Sequence, residues 1–397
     1  MRKLKGKIKM NNFFAIDDIK SVQIDHTSRC NCLCPQCARV SNGVVNPRMP
    51  IDELTVEDYK VIFPSTIIKQ VDIISQCGNY GDIVASNTIL DCLEWLRENG
   101  CTAHINIMTN GSARTADWWK RLASIIDLNG RVIFSIDGLE DTNHLYRVNA
   151  SWNKIMENAS TYIANNGRAR WDYLIFDHNQ HQVEEAEKLA REIGFESFYV
   201  KNTSRFIQNK NYVTGKVSKE ETLKQPTDEK YRSTSDEKFV NIIDKHGTWE
   251  NYINETTIDC EVRKRSELFI DFQARVWPCT WVAAPIHFVG DDNIQKVQIH
   301  KVLDYYGWEF NSLRHHSLDE VLNHEWFKNE LVESWERTQD DIPIGKLMTC
   351  GRTCGTDYEF SSCTPANSKL KRFKILTEKY GWIKEGEEHF NEYEAMQ

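Results

Sequence analysis

No run in this 397-residue chain is apolar enough for long enough to span a bilayer, and the basic opening MRKLKGKIKMNNFFAIDD lacks the continuous apolar core of a secretory signal. A reducing cytoplasm is the setting this implies, and there a dozen cysteines are not expected to form a disulfide framework. Basic charge is also short: 49 Lys and Arg against 58 Asp and Glu leave a formal charge of −9. That argues against broad nucleic-acid binding through phosphate neutralisation. The local exception, Lys3, Lys5, Lys7 and Lys9, reads as a solvated tail. No fixed-period repeat appears beyond the alternation described next.

From residue 21 to about 205, short β-branched runs alternate with amphipathic stretches of helical length. The strand candidates are SVQIDHT, VDIISQCG, HINIMTNG, RVIFSIDG, WDYLIFDH and SFYVKNT. Helix candidates between them include IDELTVEDYKVIF, NTILDCLEWLRENG, TADWWKRLASII, SWNKIMENASTYIANNG and QVEEAEKLAREIG. Six βα units in a row imply a parallel sheet with right-handed crossovers, doubly wound or curled into a barrel. In either case the chemistry gathers at the carboxyl ends of the strands.

Directly after the first strand stands CNCLCPQC, residues 30–37, in which Cys30, Cys34 and Cys37 have the spacing C-x3-C-x2-C. So short a loop can wrap three thiolates around one iron–sulfur cube and leave the fourth iron open. The rival is a structural zinc site completed by Cys32 or His26. Cys32 is the surplus thiol and is expected to point away from a cube.

These residues, over about 21–205, resemble the radical S-adenosylmethionine (radical SAM) enzymes. The resemblance implies a partial (β/α)6 TIM-like barrel and a [4Fe-4S] cluster on Cys30, Cys34 and Cys37 whose open iron binds S-adenosylmethionine (SAM). QCGNYGDI, with Gly78, Tyr80, Gly81 and Asp82, is similar to the glycine-rich element after the family's second strand, which meets the SAM amino group. Asn110 in IMTNG, Ser135 and Asp137 in FSIDG, and Arg147 match later strand-end positions for which the resemblance implies SAM contact. Gln36 stands where the family usually carries an aromatic residue against adenine; Asp82 and Ile83 replace a glutamate and a proline. Cys77, Tyr80 and Asp82 are the candidate catalytic residues.

Residues 206–255 are charged and poor in apolar side chains, as for a linker or cover, and 256–370 return to apolar runs. Cys260 and Cys279, around ELFIDFQARVWPCTW, resemble the opening of the SPASM or twitch domains of radical SAM enzymes, with Ala274 where that pattern has glycine. The resemblance implies a smaller C-terminal α+β cysteine-rich domain with one auxiliary [4Fe-4S] cluster on Cys260, Cys279, Cys350 and Cys354, and Cys363 as substitute ligand. A zinc site or buried thiols is the alternative there. Residues 1–20 form an extension and 371–397 a helix and polar tail.

The expected function is a radical SAM oxidoreductase that forms a 5′-deoxyadenosyl radical and abstracts hydrogen from a substrate C–H bond, in peptide or protein modification. Dehydrogenation or epimerisation of a small alcohol, sugar or amino sugar is the alternative, and a non-catalytic zinc-stabilised interaction protein the remote one. An external one-electron donor such as flavodoxin or ferredoxin is implied. About twenty residues before the first strand are too few for a leader-binding domain, a function a separate protein can supply.

Overall fold

Each expected β-branched run forms a strand: β1 (Ser21–Ile24), β2 (Ile73–Gln76), β3 (His104–Thr109), β4 (Gly130–Ser135), β5 (Ala169–Leu174) and β6 (Ser197–Thr203). They come from a computed structural model that describes residues 13–41, 43–203, 205–206, 223–232, 235–356, 363–365 and 373–374. The basic run, much of the charged linker and the C-terminal tail lie outside the described residues. Consecutive strands pair in parallel throughout. A doubly wound sheet reverses its strand order at a switch point; this one never does, so it coils one way as a barrel wall.

The C-terminal segment extends the same sheet. Strand β7 (Glu267–Ile270) lies parallel to β1, with Glu267 opposite Ser21, and β8 (Val276–Trp277) turns back antiparallel to β7. On the other edge, β9 (Cys363–Pro365) and β10 (Phe373–Lys374) run antiparallel to β6. Among the described residues the two edges do not pair, so the barrel stays open.

Crossover helices follow the sequence closely, with one split. IDELTVEDYKVIF yields only α1 (Val56–Ile62), because Thr55 and Asp58 close a capping box around its start. Pro64 then separates it from a short α2 (Ser65–Gln70). Next come α3 (Ile89–Glu98), α4 (Ala116–Ile126) capped by Thr115, α5 (Trp152–Ala164) capped by Ser151, and α6 (Val183–Ile193), closed by Gly194 at φ +98°. None of the described helices is long and apolar enough to cross a membrane.

Strand alternation divides the labour. Along β5, Trp171 and Tyr173 face the helices; the Trp171 ring centroid lies 5.4 Å from Phe195 and the Tyr173 centroid 5.7 Å from Phe198. Phe134 of β4 stacks on Trp119 of α4 at 5.3 Å in the same layer. Their burial supplies the hydrophobic stabilisation, about 1.5–3 kcal/mol per large apolar side chain. The opposite face is polar: Arg170 Nε meets Asp172 at 2.7 Å, and Lys201 Nζ of β6 meets the same carboxylate at 2.6 Å. On β3, Ile105 and Ile107 are buried against the helices while His104, Asn106 and Met108 are half-buried on the concave side.

Ala274, in the turn between β7 and β8, takes φ +57° and is fully buried. The glycine of the resembling pattern would adopt that left-handed backbone without strain; alanine pays about 1–2 kcal/mol for it and recovers about 0.8 by burying its methyl. Ala274→Gly is therefore expected to be near-neutral in chemical denaturation, whereas Ala274→Val, adding a β-branch in the same conformation, should destabilise by ~2 kcal/mol or more.

Candidate functional site

The loop leaving β1 is fixed before its first cysteine. Asp25 accepts the backbone N–H and side-chain amide of Asn79, each at 2.9 Å, joining the ends of β1 and β2. Gly81 then passes so close beneath the loop that a Cβ there would lie 2.2 Å from Thr27 O and 2.5 Å from Arg29 O, and Asp82 N donates to Arg29 O at 2.7 Å. Farther along, Leu33 N donates to Val148 O at 3.0 Å, and Arg39 Nε to Ser28 O at 2.9 Å.

Cys30, Cys34 and Cys37 are brought to one side of this loop, each sulfur with an N–H donor. Cys30 Sγ meets Cys32 N at 3.3 Å and Asn110 Nδ2 at 3.8 Å; Cys34 Sγ meets Arg147 Nη1 at 3.9 Å; Cys37 receives the backbone N–H of Arg39. Burial pushes Cys37 up to about 11, whereas a hydrogen bond from Cys32 draws Cys34 down to about 7, with Arg147 assisting.

Cys32 does not turn away as expected. Its buried thiol lies within hydrogen-bonding reach of Cys30 and Cys34 and 3.9 Å from Ser112 Oγ, and those two partners hold it protonated. His26 is not placed to complete a zinc site: its ring nitrogens meet Tyr59 Oη at 3.1 Å and Thr88 Oγ1 at 3.0 Å, and burial lowers its pKa to about 3.

The other expected site residues divide into two groups. Asp82, Asn110, Asp137 and Arg147 surround the thiols. Asp82 accepts from Thr109 Oγ1, Asn110 N and Asn110 Nδ2, each at 2.7 Å, and burial still raises its pKa. Asp137, buried and raised likewise, accepts from Leu174 N at 2.6 Å and Arg147 Nε at 2.5 Å. Ser135 ends β4 half-buried, and Gly78 packs its backbone near Gly81 O.

Gln36, also buried, accepts from Thr203 Oγ1 at 3.1 Å, but its Nε2 has no hydrogen-bond partner among the described residues. An orphaned buried donor beside Cys37 is what a bound polar ligand would satisfy. Asn31 and Ser112 were missed from sequence although they bond each other at 2.8 Å and both contact Asn110.

Cys77 and Tyr80 lie elsewhere. Cys77 is buried beside Gln23, Asp25 and Glu267. The Tyr80 ring is fully buried, stacked on Phe288 at 4.9 Å with its edge toward Phe272 and His287.

A second thiol group sits beyond Tyr80. Cys260, Cys279, Cys350 and Cys354 line one narrow cavity, with Phe13, Trp281 and Trp335 on its walls. Cys350 and Cys354 share a helix, Met348–Cys354, at the i, i+4 spacing that puts both on one face. A hydrogen bond from Cys260 draws Cys354 down to about 7, while burial lifts Cys279 to about 12 and Cys350 well above its usual value. The backbone of Cys363 is opposite Thr203, on the other edge of the sheet.

No family model matches the chain, and no curated protein does. Among solved structures, Streptococcus suis SuiB bound to S-adenosylmethionine superposes with a TM-score of 0.52 at 14% identity, over 87% of this chain and 76% of SuiB. The chain therefore shares the fold of SuiB, a mixed α/β fold built on an open, mostly parallel sheet. A histidine-tagged form of anSMEcpe with bound AdoMet gives a TM-score of 0.48 at 13% identity, over 88% and 90% of the two chains. At that level the second match adds no argument to the first.

Within this fold Gly81 is the tightest point of the site, since the atoms its Cβ would strike are backbone. Gly81→Ala should lower stability by about 1–3 kcal/mol, the usual cost of overpacking. Gly78→Ala, meeting only Gly81 O at 3.1 Å, should cost less. Denaturant titration of the pair checks the ranking.

Proposed function

We propose that this chain is a radical SAM enzyme acting on a peptide or protein substrate. The observation that carries the reading is a C-x3-C-x2-C loop at the carboxyl end of the first strand of an open barrel, with every motif sulfur backed by a hydrogen-bond donor. Cys30, Cys34 and Cys37 would hold a [4Fe-4S] cluster; Gln36, Gly78, Gly81, Asn110, Ser135, Asp137 and Arg147 would bound the SAM site. When bound, cluster and SAM would supply the one-electron reductive chemistry that activates a substrate C–H bond, the electron coming from an external donor.

The residues of the chain have the tasks of binding, orienting and excluding. Donors at the sulfurs stabilise thiolates in a partly buried loop. The polar concave wall, with Asn106, Asp172 and Lys201, offers hydrogen bonds to hold a substrate while the loops after the strands keep solvent out.

In this reading residues 21–205 are the catalytic core, 206–255 a cover and 256–370 an auxiliary domain. Cys260, Cys279, Cys350 and Cys354, gathered around one cavity, would carry a second [4Fe-4S] cluster. The peptide class is supported by SuiB, which has also been solved bound to the precursor peptide SuiA. An external one-electron donor and a separate leader-binding protein, in the cytoplasm, complete the reading.

The test is iron and sulfide per chain after anaerobic reconstitution, for the wild type and for the Cys30→Ala, Cys34→Ala, Cys37→Ala triple variant. Expected are ~8 irons falling to ~4, the content of two and one four-iron clusters. The wild type alone should release 5′-deoxyadenosine when reduced with dithionite and SAM, and deuterated peptides should pass label into it. Zinc without iron would sink the radical mechanism; label from small alcohols and from no peptide would sink the substrate class.

A further inference from the structure

Two sulfurs at the barrel mouth are reached by side-chain donors that buried carboxylates hold in place. Asn110 Nδ2 stands 2.7 Å from Asp82 Oδ2, 3.0 Å from Asn31 Oδ1 and 3.8 Å from Cys30 Sγ, so its two hydrogens are shared among three acceptors. Arg147 repeats the arrangement from the other side, with Nη1 3.9 Å from Cys34 Sγ and Nε 2.5 Å from Asp137 Oδ2. Nothing in the local sequence relates the two pairs: one joins the loops after β2 and β3, the other lies within the stretch after β4.

The amide is oriented without ambiguity. Asn110 Oδ1 accepts from Ser112 N at 2.9 Å and from Ser112 Oγ at 2.5 Å, so the NH2 end is the one turned toward Cys30. Asp82 is committed as well: Thr109 Oγ1, Asn110 N, Asn110 Nδ2 and Val84 N, the last at 3.1 Å, fill about the four acceptor sites a carboxylate offers. On this geometry Asp82 reaches the site through Asn110.

We propose that Asn110 and Arg147 raise the reduction potential of the cluster on Cys30, Cys34 and Cys37, with Asp82 and Asp137 as their positioning residues. The inference rests on the cluster reading above. A donor on a ligating sulfur stabilises the extra negative charge of the reduced cluster, so its removal makes reduction harder. Arg147 adds a cationic guanidinium, partly offset by Asp137, in a half-buried position, and has the larger effect.

The experiment is an EPR-monitored potentiometric titration of the full chain, anaerobically reconstituted and free of SAM, after subtraction of the signal that survives in the triple cysteine variant. Asn110→Ala and Asp82→Asn are each expected to cut the reduced-to-oxidised ratio at fixed potential about tenfold, which is ~59 mV for one electron. The double variant should move no further than Asn110→Ala, because both changes remove one interaction. Arg147→Leu should shift the midpoint further negative, and Arg147→Lys should recover part of the loss.

Should Asn110→Ala or Arg147→Leu fail to hold iron, the near-isosteric Asn110→Asp, which replaces the donor by an acceptor, must still shift the midpoint negative. Full iron with unmoved midpoints overturns the inference and leaves the cluster reading intact. A wild-type chain that takes up no iron overturns both.

Discussion

A buried anion needs donors, and the mouth of this barrel is organised around that need. An unpaired carboxylate or thiolate taken out of water costs several kcal/mol, so each must find hydrogen bonds or neutralise. Burial lifts Asp25 to about 7 and raises Asp82 and Asp137, and each meets the penalty by bonding to the next strand's loop. Asp25 after β1 takes Asn79 after β2; Asp82 after β2 takes Thr109 and Asn110 at the end of β3; Asp137 after β4 takes Leu174 N of β5. The carboxylates thus tie neighbouring strand ends together, and the thiols inherit a frame that is already fixed.

The same sheet links the two thiol groups. Strands β1 and β7 run side by side in register, Ile24 opposite Ile270; the first leads into the loop of Cys30 and the second, through the Ala274 turn and β8, to Cys279. Tyr80 fills the space between, with Phe269, Phe272, Phe288 and His287 around its ring. Its burial explains why a residue so close in sequence to Gly81 turns away from the thiols. The glycine stretch is a crossing of two packing layers as well as a place of close backbone approach.

Much of this was legible in the residues. The six βα units and the three motif cysteines follow from local pattern and short spacing, which a loop or a helix carries within itself. What was not legible is non-local. No pattern in ELFI announces that it pairs with β1, some 240 residues earlier, because parallel register is set by partners rather than by the strand alone. Cys32 reads as surplus by counting, yet its neighbours turn its thiol inward beside Cys30 and Cys34. Asp82 reads as a ligand contact, and only the positions of Thr109 and Asn110 show its carboxylate already occupied.

The alternation that builds the core also builds the chamber, so the two cannot be varied independently. On β5, Asp172 stands between Trp171 and Tyr173, and its register partner on β4 is Ser135, at the level of the proposed SAM site. One strand therefore sends aromatic rings outward to the helices and a charged group inward. Arg170 and Lys201 close on that carboxylate from the same and the neighbouring strand, so long cationic side chains lie along the wall in defined positions. A shift of β5 by a single residue would exchange Asp172 with Trp171 or Tyr173, burying charge among rings and filling the chamber with an aromatic side chain. The register that protects the core is thus the register that keeps the opposite face of β5 polar.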